Sequence, residues 1–524
     1  MSRRAVSTVI IAVLLAGILT VAFNVQLVKS DYAWTEPIYI RADGSIEPST
    51  APISSVDNVT YTLTDNIVGN VAANSSAIVI QRDNIIIDGA GHTLQETQAP
   101  NTTGIELTGI SNVTIKNMNI MTYVYGIWFS SSSNNSVSGN NIANNAIGIE
   151  LDSSSNNGVS GNNVTANYHA AIYLDSSSNN SVSGNNITAN DYDGIYLEYS
   201  SDNNISGNNI ANNAYVCIEL DFSSNNNSII GNNITANNVA GIWLAYSSDN
   251  SLSGNNIANN LDGIFGYSSS NNIVSGNNIA NNQDGIYLEY SSNNNTVSGN
   301  NITADNLYGI WLDSSSNINM IYHNSFMNDS GQAYSSGSTN VWNDGYPSGG
   351  NYWSDYNGTD GNGDGIGDKP YVIDANNTDP YPLMAPYGTF DAGTWNGTAC
   401  SVGMMSNSTV SAFQVDVAQK TLSFNVTGAE GSAGFCRVTI PNIIVQNLWQ
   451  GNYTVLVDGE RWSFSNWTDA TNTYIYFNYT HSQHQTIIIP ELPSLLTLPI
   501  LMIMTLLAII ASRRKWSKHH HEES

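Results

Sequence analysis

The chain has 524 residues, with 14 Lys plus Arg against 42 Asp plus Glu and a formal net charge of −28. A surface that acidic repels nucleic-acid phosphates and anionic lipid head groups; nucleic acid is excluded as a partner, and polyuronates are disfavoured unless Ca2+ bridges them. Only 11% of residues are charged and 41% are hydrophobic, so the acidity is not the signature of a disordered chain.

At the N-terminus, Ser2-Arg3-Arg4 and the apolar run from Ala5 to Phe23 fit an export signal or signal anchor within residues 1–30. Residues 31–57 read as an N-terminal cap or linker. From 58 to 321 the chain is periodic. Strand starts recur at Gly104, Gly126, Gly148, Ala171, Gly194, Cys217, Gly241, Gly263, Gly285 and Gly309. A second signature, Ser-Gly-Asn-Asn or a close variant, places its Gly at 139, 161, 184, 207, 231, 254, 276 and 299. Both ladders step by 22 to 24 residues, so each step is one coil of a solenoid, with ten or more coils in all. Gly, Asn, Ser and β-branched residues are poor helix formers, which excludes a helical solenoid. Runs such as Gly194 to Glu198 alternate with period two: Ile195 and Leu197 point inward, Tyr196 and Glu198 outward. The Asn-Asn pairs suit corners, where Asn tolerates left-handed backbone and its amide can bond to the same residue one coil above.

This pattern resembles the parallel β-helix repeats of the pectin-lyase-like superfamily, in particular its NosD-like branch, and Asn84 to Leu94 looks like the first coil of that branch. The resemblance covers roughly residues 58 to 385. It implies an all-β fold, a right-handed parallel β-helix, and leaves the activity open because one such fold hosts many functions. NosD-like proteins are associated with maturation of a copper enzyme. Copper sites want clustered Cys, Met or His, whereas Cys217 is isolated and Met404-Met405 lie outside the helix, so that role does not carry over by residue.

Residues 322–387 lose the period and become rich in Trp, Tyr, Gly and Asp. Within them Asp360, Asn362 and Asp364 alternate with glycines, Gly365 stands at position six and Asp368 follows, which is oxygen-ligand spacing for a structural Ca2+. Tyr371 stands where an EF-hand places its Glu, so a true EF-hand is not expected; a plain acidic turn is the alternative. Residues 388–489 read as a small β-sandwich, with Asp458-Gly459 as a hairpin turn. Cys400 and Cys436 are expected to form a disulfide in an oxidising exterior, and Cys217 to be a packed thiol. Leu495 to Ala511 is almost wholly apolar and is followed by Arg513, Arg514, Lys515 and Lys518. Residues 490–511 are therefore expected to be a transmembrane anchor, and 512–524 a cytoplasmic basic tail. Pro490 to Ser494 resembles the sorting tails of archaeal surface proteins. Sequons such as Asn58, Asn112, Asn186, Asn233, Asn301, Asn357, Asn425 and Asn478 agree with a cell-surface glycoprotein.

The candidate functional surface is an outward ladder. Two residues after each strand start stand Glu106, Trp128, Glu150, Tyr173, Tyr196, Glu219, Trp243, Phe265, Tyr287 and Trp311; four after stand Asp152, Asp175, Glu198, Asp221, Glu289 and Asp313. Aromatic faces stack on sugar rings and carboxylates accept hydroxyl hydrogen bonds, so the columns suit a glycan, which could include surface-layer components. Exposed strands also favour aromatics, and acids keep a rod soluble. Carboxylates one or two coils apart stand near glycosidase separations, yet a repeat yields such pairs without selection for a site. Between Arg82 and Lys369 the only Lys or Arg is Lys116, with His92, His169 and His323 scattered, which leaves β-elimination without its cation. The expected function is non-catalytic carbohydrate binding, adhesion or structure; a carbohydrate-active enzyme (a glycoside hydrolase before a lyase or epimerase) using the ladder carboxylates is the alternative, and the copper-maturation role that the resemblance implies is a second alternative.

Overall fold

The structure is a computed structural model that describes residues 34–97 and 100–491. The expected export signal and transmembrane anchor lie outside the described residues; among those described, no helix is long and apolar enough to cross a membrane. The chain divides into two compact units, residues 1–177 and 178–524.

The first unit is a stack of parallel coils, in which one longer strand alternates with two short strands of three or four residues. The longer strands are Thr103–Thr108, Tyr125–Ser130, Ile147–Asp152 and Ala170–Asp175, paired in parallel register. Parallel pairing starts earlier than the expected boundary at residue 58. Ile38–Ile40 already pairs with Ser76–Ile80, so part of the presumed linker belongs to the helix. That strand precedes the first Gly and Asn markers, which is why the period did not show it.

In the second unit the longer strands are Asp193–Glu198, Val216–Asp221, Ala240–Ala245, Asp262–Tyr267, Asp284–Glu289, Tyr308–Leu312 and Gly331–Ser335. The first six begin one residue before their expected starts, and Gly331–Ser335 lies beyond the last expected start at Gly309. Alternation holds: Ile195, Leu197, Ile218 and Leu220 are wholly buried, whereas Tyr196 and Glu198 are half-exposed. The coils continue past 321, since Ser325–Met327 pairs in parallel with Tyr352–Trp353.

Asparagine ladders hold the coils in register. The first Asn of each pair is buried: Asn208 donates its backbone N–H and Nδ2 to Asn232 Oδ1 (3.0 and 2.9 Å), and Asn232 repeats the pattern onto Asn255 (2.9 and 3.0 Å). The second Asn forms an outer ladder, with Asn233 Nδ2 donating to Asn209 Oδ1 at 2.8 Å. Two more buried Asn columns run through Asn203, Asn227 and Asn250 and through Asn213, Asn237 and Asn260, joined by a Ser column at Ser200, Ser224 and Ser247. Each satisfies a corner amide that would otherwise be buried without a partner.

The ladder through Asn324 and Asn351 ends at Asp379, which accepts from Asn351 N (2.7 Å) and Trp353 Nε1 (2.9 Å). Trp353 stacks on Phe326 and Tyr371 at 4.6 and 4.3 Å, closing the core where the repeat ends. Beyond it stand two five-stranded antiparallel sheets over one core that includes Val402, Leu422, Phe424, Val438, Val455 and Phe477, with a helix at Asn442–Trp449. Within these sheets Val457 pairs with Glu460 across Asp458-Gly459, both at positive φ.

The expected disulfide is not formed. Cys400 and Cys436 are free thiols; in adjacent antiparallel strands Cys436 stands opposite Ser406, six positions along from Cys400. At about 3.3 Å per residue that separation is far beyond disulfide reach. Cys217 is fully buried as expected, and burial pushes its thiol pKa up.

Candidate functional site

The register places the outward residues in columns within each unit. In the first, Glu106, Trp128, Glu150 and Tyr173 stand opposite one another in successive coils, and Asp152 opposes Asp175. Glu150 is 9% exposed with Oε2 unpaired; burial, then the charges of Asp152 and Asp175, raise its pKa to about 7. Trp128 packs against Tyr125 at 5.9 Å in a recess of about 280 Å3 shared with Glu106.

In the second unit Tyr196, Glu219, Trp243, Phe265, Tyr287 and Trp311 form one column, and Glu198 opposes Asp221. The rings of this column are half-buried and lean on one another: Trp243 on Phe265 at 5.2 Å, Phe265 on Tyr287 at 5.0 Å, Tyr287 on Trp311 at 4.4 Å and 6°. The Nε1 atoms of Trp243 and Trp311 are buried without partners. Ring faces the sequence reading offered to a ligand are thus largely covered by neighbouring rings. Burial, then Asp221, raises Glu219 to about 7. Glu289 opposes Tyr267, and Asp313 accepts from Tyr290 N at 3.2 Å and Ser315 Oγ at 2.7 Å, which ties it to the preceding coil and to its own turn.

Two further sets belong to this face. Asp193, Asp262 and Asp284 occupy the first position of their strands and are buried, with Asp262 opposite Asp284. Burial, then Glu219, raises Asp193 to about 8; burial, then Asp284, raises Asp262 to about 7. The Asp-Gly dipeptides at coil starts were the available signal, read only for their glycines. The second set is a run of corner aromatics, Tyr199, Phe222, Tyr246 and Tyr290, which immediately follow the positions of the acidic column. They were passed over because a strand-alternation rule stops where the strand does. Several carboxyls that titrate near neutrality can carry protons, but they recur from coil to coil without a cation beside any one of them.

In the Asp360 to Asp368 loop, Asp360 accepts from Gly363 N, Asp364 N and Gly365 N at 2.8, 3.1 and 2.8 Å. Asp364 is buried and accepts from Ile366 N, Asn362 Nδ2 donates to its other oxygen, and Asp368 accepts from Gly361 N. Among the described residues no three or more His, Cys, Asp or Glu side chains gather in a group that could hold a metal ion.

Residues 70–260 and 222–358 match the family model described as periplasmic copper-binding protein (NosD). No curated protein matches the sequence. Solved structures similar to the chain include the A-module of mannuronan C-5 epimerase AlgE6 from Azotobacter vinelandii, at 16% identity and TM-score 0.43, covering 54% of this chain and 88% of that one. The periplasmic alginate epimerase AlgG (16%, TM-score 0.36, 56% and 78%) and the Dettilon tailspike protein gp208 (13%, TM-score 0.39, 82% and 85%) are also similar.

Among the described residues, the Cys, Met and His side chains that could bind copper do not converge on one site. Cys217 is enclosed in its coil with Sγ against Ile210 O at 3.4 Å, Met404 and Met405 are buried in two different core clusters, and His323 stacks on Tyr387. With the family match running from residue 70 to 358, more than half of the 524, the chain belongs to the NosD family.

Proposed function

We propose that the protein is a non-catalytic, exported carbohydrate-binding β-helix displayed at the cell surface. The observation that carries this reading is the composition of one face. Aromatic and carboxylate columns run in register from Tyr196 to Trp311, and no Lys or Arg occurs between Lys116 and Lys369. Such a face offers carboxylate acceptors for hydroxyls and the exposed parts of half-buried rings, without the cation that β-elimination uses. Repetition argues for many weak contacts along a polymer rather than one reacting centre. The full chain is expected to be retained by at least one insoluble polysaccharide and to release no new reducing ends from it. Release of reducing ends, abolished by changing one carboxylate such as Glu219 or Asp221, sinks the non-catalytic reading.

The same reading assigns a structural Ca2+ to Asp360, Asn362, Asp364 and Asp368, supported by the ligand spacing and by Gly365 turning at φ 84°. Calcium is expected to raise the melting temperature of the wild type but not of Asp364→Ala. A melting curve indifferent to calcium and chelator removes the metal.

A further inference from the structure

The corner that follows each longer strand turns through the left-handed region. Ser131, Ser153, Ser176 and Ser268 occupy it at φ 50°, 50°, 51° and 49°. Tyr199, Phe222, Tyr246 and Tyr290 occupy it at φ 49°, 45°, 49° and 53°. Bulky side chains are disfavoured in that region, where small polar residues suffice. Nor is the aromatic choice repaid by burial, since the four side chains are 55%, 42%, 50% and 55% exposed. They also adjoin one another: Tyr199 lies 5.6 Å from Phe222, and Phe222 lies 6.2 Å from Tyr246. The coil that carries Ser268 at its corner would break the run, but there the preceding residue is Tyr267. Its ring bridges the gap, 5.4 Å from Tyr246 and 4.6 Å from Tyr290. Five successive coils thus keep a continuous aromatic strip by two different side-chain positions.

We infer that this corner strip, rather than the half-buried strand column, is the docking surface, and that its occupant is an amine-bearing polysaccharide. The inference rests on the carbohydrate-binding reading above and deepens it. One ring per coil, at the roughly 4.8 Å spacing of neighbouring strands, suits a polymer of ring-shaped units that runs along the coils. The charge selects the polymer. Glu198, Asp221 and Glu289 directly precede Tyr199, Phe222 and Tyr290, Asp202 and Asp249 are exposed near the same edge, and no Lys or Arg stands in these coils. Burial, with Glu198 opposite it, raises the Asp221 pKa. Cationic amines over the strip relieve that crowding and meet the ring faces and edges as cation–π partners, whereas uronates are repelled. A second copy of this chain brings the same negative charge and is disfavoured for the same reason.

The test uses the full chain and the variant Tyr199→Ser/Phe222→Ser/Tyr246→Ser/Tyr290→Ser, whose new residues already occupy this corner in other coils and which alters no charge. Chitosan, a neutral β-glucan and alginate serve as probes in co-sedimentation. Wild type is expected to bind chitosan best and alginate not at all. The variant is expected to lose at least tenfold in chitosan affinity while melting within about 2 °C of wild type. Unchanged chitosan binding by a folded variant overturns the strip and leaves carbohydrate binding standing. No binding to any polysaccharide overturns both readings. Neutral glucan bound as tightly as chitosan, or alginate bound at all, overturns the amine assignment. Concentration-dependent self-association that the variant abolishes makes a second copy the occupant and overturns the polysaccharide.

Discussion

The coils from Tyr125 to Ser177 and those from Asp193 to Ser291 share a skeleton and part company at one corner. Both bury Ile, Leu and Val columns completely, both run the same Asn ladders, and both carry a half-buried strand column of aromatic and acidic residues. At the left-handed corner the first group has Ser131, Ser153 and Ser176, and the second has aromatics in all but one coil. Ser223 and Ser291 add a second positive-φ residue after Phe222 and Tyr290, but at Tyr199 and Tyr246 the corner turns as it does at the serines, so there the fold does not demand either choice. In a repeat protein whose interior is held nearly constant, an exposed position that changes character between regions is free to serve something other than packing, because packing does not constrain it.

The largest effect tests the shared skeleton. Asn162→Ala in the first unit and Asn232→Ala in the second each remove a buried amide that accepts two bonds from the coil below. Each is expected to cost about 3 kcal/mol, because a backbone N–H and a side-chain amide are left buried without partners. Asn233→Ala, one residue away on the outer ladder, is expected to cost less than about 0.5 kcal/mol because water replaces the lost bonds. Urea unfolding of the three variants measures this. Similar costs for Asn232 and Asn233 show that the ladder is decoration and the coils hold by burial alone.

A second difference between the units is electrostatic. The ladder that reads Asn145, Asn167 in the first unit passes in the second through Asn282 to Asp305 and Asp329. Burial raises Asp305 to about 8 and Asp329 to about 7, and one Asp305 oxygen has no partner. Together with Asp193, Glu219 and Asp262, these carboxyls hold protons more tightly folded than unfolded. The folded chain therefore binds more protons between about pH 4 and pH 8, and stability falls as pH rises through that window. Asp305→Asn keeps the acceptor for Asn282 and removes the charge. It is expected to raise the melting temperature by a few degrees at pH 8 and to change little at pH 5. A gain of equal size at both pH values means that Asp305 is ionised throughout.

Trp243→Ala sharpens the division between column and corner. Its ring touches Tyr215 at 5.8 Å and Phe265 at 5.2 Å and is half-buried, so the replacement is expected to cost about 1–2 kcal/mol in stability. Tyr246→Ser, exposed at the corner, is expected to be neutral in the same melt. Reversed costs place the structural column at the corner and the free rings on the strand.

How far the sequence foretold this follows from what each residue does in a repeat. The coil, its inward Ile and Leu and the Asn ladder were legible because each recurs every 22 to 24 residues and the physical need recurs with it. The ends of the helix were not: Ile38–Ile40 precedes the Gly and Asn markers, and Tyr352–Trp353 follows ladder residue Asn351, which stands 27 positions after Asn324 and so falls outside the 22 to 24 step. Nor was the pairing of Cys400 and Cys436, where sharing a domain says nothing about register. The candidate face was found in direction but not in depth. Alternation tells inside from outside, yet it does not reveal that outward rings stack on the rings of adjacent coils and bury themselves. The corner aromatics escaped because their backbone is turn, where the period-two rule has no meaning.

The smallest effect bears most directly on the comparison. If the corner is permissive, the first unit accepts what the second already carries. Ser153→Tyr and Ser176→Tyr each place a large side chain at φ 50° and 51°, angles at which Tyr199 and Tyr246 already stand. The bonds lost are Ser153 Oγ to Asp152 at 2.9 Å and Ser176 Oγ to Asp175 at 2.8 Å, both at the surface where water takes their place. The cost of the left-handed turn is borne by serine as well, so only the increment for a bulkier residue remains. Each single variant is expected to lose about 0.5 kcal/mol. The double variant is expected to lose no more than the sum, since neighbouring rings can shield one another as Tyr199 and Phe222 do at 5.6 Å. Measured against wild type by urea unfolding, a loss above about 2 kcal/mol for either one means that serine is required at that corner by the first unit's backbone. The contrast between the two sets of coils would then record a difference in fold tolerance, and the aromatic strip would lose its claim to have been placed there for a ligand.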